Sequence, residues 1–243
     1  MSRRIAILGG AGGIGRALVA ALTEAGDDVV VLDLPASIER HRPTTRTIDI
    51  DVLSEEAINT AARELADHWP SVDGYVHLAG YNPSIQSVAD TPTDYFDNVV
   101  SGNLRGAFLS AKTIMPLMSD GGSVVMIASG LGRYIRPGFV SYASAKAGLM
   151  AIANTLALEC APKVRVNTVA PGFVDTAFSH GGTGISEETA EIEVDLAKYV
   201  SVIPLARVAE PEDIVGPIRF LLGPDSAYMT GQVLWVNGGA YMP

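Results

Sequence analysis

Short apolar runs alternate with longer helical patterns along the whole chain. The predicted strands are residues 5–8, 29–32, 47–50, 75–78, 124–128, 164–169 and 233–236. The predicted helices lie at about 13–25, 54–68, 102–118, 141–160 and 211–222. Because the strands are apolar on both faces and helices separate them, the pattern predicts an α/β fold. We expect a doubly wound parallel sheet of about seven strands with helices on both faces.

The composition fits a single domain over residues 1–243. Apolar residues make up 48% of the chain and charged residues 18%, so we expect a sizeable core. The net charge of −10 and the lack of a basic cluster argue against nucleic acid or an anionic membrane as main partner. No apolar stretch reaches the roughly 18 residues that cross a bilayer, so a soluble, cytoplasmic protein is expected. Cys160 is the single cysteine, which rules out an intrachain disulfide.

Residues 177–200 have no place in the alternation of strands and helices. They open with the glycine-rich run 179–184 and continue as an acidic, weakly amphipathic stretch that predicts a helix. An insertion of this kind is either a mobile lid over a binding site or an elaborated surface loop. We favour the lid because of where the segment falls in the chain.

A glycine-rich turn joins the first predicted strand to the first predicted helix. Gly9, Gly13 and Gly15 allow a tight turn there, and the amides at a helix start favour a diphosphate. Asp33 ends the second strand, where its carboxylate can accept hydrogen bonds from ribose hydroxyls and repel a 2′-phosphate. No Arg or Lys stands at 34–38. The pattern favours NAD over NADP; the alternative is that Asp33 only caps the next turn.

Tyr142 and Lys146 are four residues apart in a predicted helix and therefore share one face. A phenol with a pKa of about 10 is a poor base at neutral pH. A nearby ammonium favours the phenolate, so we expect Lys146 to bring the Tyr142 pKa toward the range of efficient proton transfer. The spacing alone is weak evidence, because a half-buried tyrosine beside a solvated lysine gives the same pattern.

The chain resembles the classical short-chain dehydrogenase/reductase (SDR) family over essentially its whole length. The motifs that carry the resemblance are Gly9-x-x-x-Gly13-x-Gly15, Asp51-Val52, Asn103, Ser129, Tyr142-x-x-x-Lys146 and Pro171-Gly172 with Thr176. Their joint occurrence, in order and at the right separations, is far more specific than any one of them. The resemblance implies a Rossmann-like NAD(P)-binding domain and a homo-oligomer, with a tetramer expected.

The resemblance also implies an activity: reversible hydride transfer between NAD(H) and a secondary alcohol or ketone. Tyr142 would exchange a proton with the substrate oxygen, and Ser129 would hold that oxygen. Lys146 would bind the nicotinamide ribose, and Asn103 would hold a water that links Lys146 to solvent. The implied cofactor-binding residues are Gly9, Gly13, Ile14, Gly15, Asp33, Asp51, Val52, Ala79, Gly80, Tyr142, Lys146, Pro171, Gly172, Val174 and Thr176. The expected substrate contacts are Ser129, Tyr142, Leu131, Tyr134, Phe173 and Phe178, which indicate a largely apolar pocket.

Two positions depart from the family pattern. Leu8 stands where the family usually has Thr, and His77-Leu78 where it usually has Asn-Asn, so both ends of one structural contact have changed. We expect apolar packing of Leu8 to replace the hydrogen bond and His77 to be a satisfied, buried histidine. The four histidines are scattered without ligand spacing, so no metal site is predicted.

Two other functions stay open. A 3-oxoacyl-thioester (acyl carrier protein) reductase has the same architecture, but such enzymes typically use NADPH, and Asp33 counts against that cofactor. A non-catalytic NAD-binding sensor or scaffold would keep the glycine loop and lose members of the catalytic set. All four residues of that set are present here.

Overall fold

Seven parallel strands form one sheet in the computed structural model, which describes residues 2–180 and 194–242. The strands are β1 (Arg4–Leu8), β2 (Asp28–Asp33), β3 (Arg46–Asp49), β4 (Val72–His77), β5 (Met118–Ile127), β6 (Val164–Pro171) and β7 (Val233–Val236). Their order across the sheet is β3-β2-β1-β4-β5-β6-β7. All seven predicted strands are confirmed, although β5 begins at Met118 rather than at residue 124.

Helices cover both faces of this sheet. Within the described residues they are α1 (Gly13–Glu24), α2 (Pro35–His41), α3 (Glu55–His68), α4 (Thr93–Val100), α5 (Gly106–Ile114), α6 (Val140–Cys160), α7 (Leu196–Ser201) and α8 (Pro211–Leu222). The Ser54 hydroxyl accepts a hydrogen bond from the Ala57 amide at 3.2 Å and so caps α3. Across the ranges that the structure describes, no helix combines the length and the apolar character that a bilayer crossing needs.

Strand β1 shows how one strand serves two cores. Ile5 and Ile7 belong to the cluster that contains the buried residues of α1 and α8. Ala6 and Leu8 belong to the cluster formed with α3, α5 and α6. Because successive side chains of a strand point to opposite faces, a continuously apolar strand fills both cores. The prediction of a doubly wound sheet is therefore confirmed.

The predicted helix at 102–118 is wrong in its bounds. The chain is already helical from Thr93 in α4, passes through a π-helical turn at Ser101–Arg105 and continues as α5. The first segment, α4, consists largely of aromatic, β-branched and short polar residues with low intrinsic helix propensity, so it is not recognisable from its sequence. The other end is also too long: α5 ends at Ile114, and Pro116 lies in a short 3₁₀ turn before β5. The short helix α2, which begins at Pro35, is likewise absent from the prediction.

The insertion at 177–200 is described at its two ends. Ala177–His180 form a 3₁₀ turn, and Leu196–Ser201 form α7, which the Asp195 side chain caps. Residues 181–193, on which most of the predicted acidic helix falls, lie outside the described residues. Both described ends face the same cavity as the glycine loop.

The order of the strands fixes where a ligand site can form. After β3 the chain crosses over β2 and β1 to reach β4, so the strand order reverses direction between β1 and β4. In open α/β sheets the crevice at such a switch point, outside the carboxyl ends of the strands, binds ligands. The glycine loop follows β1 at this edge, and residues 78–80 follow β4 beside it.

Candidate active site

The glycine loop is packed too closely for side chains. Gly9 has φ of +86°, and a Cβ there would lie 2.8 Å from the Ala79 amide nitrogen. A Cβ at Gly13 would lie 2.6 Å from the Thr176 side chain, and one at Gly15 would overlap the Gly9 carbonyl oxygen. The loop thus brings bare backbone to the edge of the cavity, next to the start of α1. This cradle fits a dinucleotide diphosphate.

Asp33 is held at the end of β2 by backbone amides. Its Oδ2 accepts from the Ala11 amide and its Oδ1 from the Leu34 amide, each at 2.8 Å. Burial raises the pKa of the Asp33 carboxyl, and these hydrogen bonds oppose the shift. Arg16 lies at the same corner, where its guanidinium donates to the Ala11 carbonyl at 3.1 Å and contacts the His41 ring at 2.9 Å. The sequence does not indicate that the Arg16 guanidinium lies near Asp33, because only the folding of α1 against the glycine loop brings the two residues together.

The predicted cofactor contacts fall into two groups. Members that line one cavity are Gly9, Gly13, Ile14, Gly15, Gly80, Tyr142, Lys146, Pro171, Gly172, Val174 and Thr176. Four others, Asp33, Asp51, Val52 and Ala79, do not line this cavity. Asp51 lies after β3, where its Oδ1 accepts from the Leu53 amide at 2.9 Å.

Asn103 sits in the π-helical turn between α4 and α5 and is completely buried. Its Nδ2 donates to the carbonyls of Tyr81 and Val99 at 2.8 and 2.9 Å, and its Oδ1 accepts from the Tyr81 amide at 3.2 Å. These bonds tie the segment after β4 to the π turn. Irregular turns of this type occur frequently at functional sites because they redirect a side chain. A Cβ at Gly80 would overlap Asn103 Oδ1 and lie 3.1 Å from Lys146 Nζ, so these groups meet at one point.

Tyr142 and Lys146 lie on the buried face of α6, as the four-residue spacing predicts. The Lys146 ammonium donates to the Ile127 carbonyl at 3.0 Å and lies 5.5 Å from the centroid of the Tyr142 ring. Burial lowers the Lys146 pKa to about 8. Ser129 follows β5, where its hydroxyl accepts from the Leu131 amide at 3.2 Å and interacts with the Tyr142 phenol.

The expectation of a lowered Tyr142 pKa is wrong for this arrangement, because burial outweighs the attraction between the Lys146 ammonium and the phenolate. Burial raises the pKa of the phenol, and the hydrogen bond with Ser129 opposes the rise only in part. The same removal from water disfavours the phenolate and the ammonium alike, so both groups are pushed toward their neutral forms. The phenol is therefore a proton donor at neutral pH.

A cavity of about 700 Å³ joins the glycine loop to these side chains. All six predicted substrate contacts line it: Ser129, Leu131, Tyr134, Tyr142, Phe173 and Phe178. The cavity is also lined by residues that the sequence does not predict, among them Ile85, Tyr199 and Tyr241. They come from the segment after β4, from α7 and from the chain end, and no local motif marks any of them.

Leu8 and His77 lie side by side in the β1–β4 register. Leu8 is buried in the apolar core, as expected. His77 is also completely buried, and its Nδ1 shares a hydrogen bond with the Tyr75 hydroxyl at 3.0 Å. The expectation of a satisfied histidine is met only in part: its Nε2 forms no hydrogen bond of normal geometry among the described residues, although the Ala79 backbone lies near enough to oppose the fall in the His77 pKa. Burial and the nearby Lys146 charge lower the His77 pKa to about 3, so the ring is neutral. The part of the chain at 2–180 and 194–242 contains no group of His, Cys, Asp and Glu that could hold a metal ion.

Comparisons with known proteins decide the family. The family model described as enoyl-(acyl carrier protein) reductase matches residues 9–241. An uncharacterized short-chain type dehydrogenase/reductase of Sinorhizobium fredii is 34% identical over 98% of this chain and 43% of its own length. The chain belongs to the short-chain dehydrogenase/reductase family. It spans less than half of that relative, so the activity of the longer protein is not carried over.

Other SDR relatives match over nearly their full length. A 3-oxoacyl-[acyl-carrier-protein] reductase of Thermotoga maritima is 31% identical over 96% of this chain and 95% of its own. An acetoacetyl-CoA reductase of Synechocystis is 36% identical over 96% of this chain and 94% of its own. Among solved structures, an SDR glucose/ribitol dehydrogenase from Brucella melitensis has a TM-score of 0.88 at 26% identity, covering 99% and 97% of the two chains. The protein is thus an SDR-type oxidoreductase with a Rossmann-like fold.

Proposed function

We propose that this SDR protein is an NAD-dependent oxidoreductase that interconverts a secondary alcohol and a ketone. The observation that carries the proposal is that Ser129, Tyr142 and Lys146 line one cavity with the glycine loop. Asn103 adjoins Lys146 behind Gly80. A nicotinamide cofactor, when bound, supplies or accepts the hydride.

Each polar side chain of the site would have its own role in proton transfer. For reduction, the Tyr142 phenol gives its proton to the substrate oxygen while the carbonyl carbon gains a hydride. Ser129 donates a hydrogen bond to the same oxygen and stabilises the charge that develops there. Lys146, with its ammonium at the end of β5, holds the ribose and favours the phenolate that remains. Asn103 anchors the segment after β4 and would hold the water that returns a proton.

The preference for NAD rests on Asp33 and on the absence of Arg or Lys at 34–38. The runner-up is an NADPH-type 3-oxoacyl-thioester reductase. The similarity to a 3-oxoacyl-[acyl-carrier-protein] reductase and to an acetoacetyl-CoA reductase favours it, and so does the Arg16 guanidinium beside Asp33. A non-enzymatic NAD-binding sensor is the third reading, and it predicts cofactor binding without turnover. A cytoplasmic location, a homotetramer and closure of the 177–200 segment as a lid belong to the same proposal.

A panel of secondary alcohols and ketones, assayed with NAD(H) and NADP(H) in parallel, tests the function. We expect turnover of at least one ketone with NADH and a lower kcat/KM with NADPH, read from the absorbance of the reduced nicotinamide. Turnover of 3-oxoacyl thioesters with NADPH alone would establish the runner-up. Cofactor binding with no turnover across the panel would establish the sensor.

Replacing Asp33 by Ser should shift the cofactor preference toward NADP(H). The change removes a carboxylate that repels the 2′-phosphate, together with its charged hydrogen bonds to the ribose. The ratio of kcat/KM for NADH over NADPH should fall about 10- to 100-fold, the equivalent of about one charged hydrogen bond. Asp49→Ser is the matched control, because Asp49 is the exposed neighbour of Asp33 in the adjacent strand. An unchanged ratio in Asp33→Ser would refute the role of this carboxylate.

A further inference from the structure

Aromatic residues are concentrated around the candidate active site. The chain contains 8 Tyr, 6 Phe and 2 Trp, about 7% of its residues. Seven of them line the one cavity: Tyr142 together with Tyr134, Phe139, Phe173, Phe178, Tyr199 and Tyr241. Nearly half of the aromatic side chains of the protein thus lie around a single space.

The rings are arranged in neighbouring pairs. Tyr142 and Phe178 have centroids 5.5 Å apart, and Phe173 and Tyr199 are 5.6 Å apart. Tyr134 and Tyr241 are closer, at 4.1 Å with an angle of 31° between their planes. The separations of 5.5 and 5.6 Å lie within the range at which aromatic rings attract each other, and a further flat ring can join such a cluster in the same way.

Tyr241 brings the chain end directly beside Ser129. A Cβ at Gly130 would overlap the Tyr241 hydroxyl, so the absence of a side chain at this position leaves room for the ring. The hydroxyl itself is buried and, within the described ranges 2–180 and 194–242, forms no hydrogen bond of normal geometry. Asn237 does lie near enough to oppose the rise that burial causes in the Tyr241 pKa. The flat ring, rather than its hydroxyl, is therefore the feature of Tyr241 that shapes the site.

Several polar groups of the cavity wall are already engaged within the protein. The Tyr199 hydroxyl accepts from the Phe173 amide at 2.9 Å. The Asn82 amide donates to the Ser84 carbonyl at 3.2 Å. Asp195 accepts from the Lys198 amide at 3.0 Å as the cap of α7. These bonds leave fewer polar groups free for the hydroxyls of a polyhydroxylated substrate, so its binding should be less favourable than that of a flat apolar ring.

We propose that the substrate is a ketone, or the matching secondary alcohol, that carries a flat aromatic ring close to the reacting carbon. Phe178 and Tyr241 are the specificity-determining residues that contact this ring. This inference rests on the proposed function, because it names the substrate class of the same site. Ser129 and Tyr142 hold the oxygen at one end, and the aromatic wall receives the ring.

Three methyl ketones of equal carbon number test the inference: benzylacetone, 4-cyclohexyl-2-butanone and 2-decanone. They share the same reacting group and differ in whether the apolar part is flat, puckered or linear. We expect kcat/KM for benzylacetone to exceed that of each of the other two by about tenfold, near the upper end of what one aromatic ring contact contributes. L-Erythrulose, a polyhydroxylated ketone too short to close a five- or six-membered hemiketal ring, should show no measurable turnover.

Variants of the aromatic residues that line the cavity test whether these rings cause the preference for benzylacetone. Tyr241→Leu and Phe178→Leu should each raise KM for benzylacetone about tenfold and so remove most of its kcat/KM advantage over 2-decanone. Tyr241→Phe keeps the ring and should retain the preference, because the hydroxyl that it loses forms no hydrogen bond of normal geometry with any residue that the structure describes. Tyr228→Leu is the surface control, since Tyr228 is fully exposed and does not line the cavity. Phe178 is partly exposed, so its variant remains informative if Tyr241→Leu does not fold.

The outcomes separate this inference from the proposed function. Equal kcat/KM for the three ketones, or a preference that survives both leucine variants, would overturn the aromatic inference and leave the oxidoreductase standing. If no ketone turns over with either cofactor, the proposed function fails. The binding of benzylacetone, measured by fluorescence, then tests whether the cavity takes an aromatic ligand. Trp235 lies 5.9 Å from the rings of both Tyr134 and Tyr241, so benzylacetone should quench its fluorescence. No saturable quenching, or quenching that persists in Trp235→Phe, would then count against an aromatic ligand.

Discussion

Tyr142→Phe is expected to lower kcat by about 10³- to 10⁴-fold while NADH binding stays nearly unchanged. The substitution removes the proton that the substrate oxygen needs and leaves the ring in place. The ring is buried on α6 and packs against Phe178 at 5.5 Å, so the fold of the site should survive. Steady-state kinetics and NADH fluorescence titration measure the two effects separately.

The control for Tyr142→Phe is the same change at Tyr134. Tyr134 lines the same cavity and also loses one hydroxyl, yet it has no assigned part in proton transfer. We expect Tyr134→Phe to keep most of the activity. Substantial turnover by Tyr142→Phe would show that another group carries the proton.

The raised pKa of Tyr142 also fixes the sign of the pH dependence. Reduction uses the protonated phenol, which burial favours, so its rate should stay level through neutral pH and fall only in strongly alkaline solution. Oxidation needs the phenolate, so its rate should rise with pH across the neutral and alkaline range. An oxidation rate that falls over this range would contradict Tyr142 as the base.

The parts of the fold that follow from residue periodicity could be predicted from the sequence. A strand such as β1 is apolar at every position because both of its faces meet helices, and this pattern is visible without a structure. Segment α4 is different. Its sequence, TDYFDNVV, has weak helix propensity, and it is helical because Val99 is buried in the folded protein. Tertiary packing overrides local preference there, and local preference is all that a short segment displays.

The candidate site divides in a similar way. Some residues of the site belong to local motifs whose spacing is set by one strand or one helix. They are the glycines of the loop, Asp33, Ser129, Tyr142 and Lys146. Tyr241 has no such motif, because its position beside Gly130 depends on how the chain end crosses the sheet edge. The direction of the Tyr142 pKa shift cannot be predicted from the sequence either. Helical spacing brings the ammonium near, but only the folded structure shows that burial outweighs it.

Lys146→Met is expected to lower kcat/KM about 10²- to 10³-fold and, at neutral pH, to make the protein more stable. The activity falls because the ammonium no longer holds the ribose or favours the phenolate; each is a charged interaction in a site shielded from water. Met fills a similar volume, so packing on α6 is kept. Activity and stability should therefore move in opposite directions.

The stability gain follows from the buried charge. Lys146 is 2% exposed, and burial lowers its pKa from 10.5 to about 8. This lowering of the pKa corresponds to a free-energy penalty of about 3 kcal/mol for keeping the buried ammonium charged. The lost hydrogen bond to the Ile127 carbonyl offsets about 1 kcal/mol. A net gain of about 2 kcal/mol should raise Tm by about 4–8 °C in a chain of this length.

The pH dependence distinguishes this cause from a general packing effect. Below pH 8 lysine is protonated in both the folded and the unfolded states, so the wild-type protein carries the whole penalty. Between about pH 8 and 10.5 the folded state binds fewer protons than the unfolded state, and the stability from this group rises with pH. The Tm advantage of Lys146→Met should therefore shrink across that window. Lys112→Met, at an exposed lysine of α5, should show neither the advantage nor its pH dependence. A Lys146→Met protein that is less stable at pH 7, or whose Tm difference is independent of pH, would contradict a strained buried ammonium.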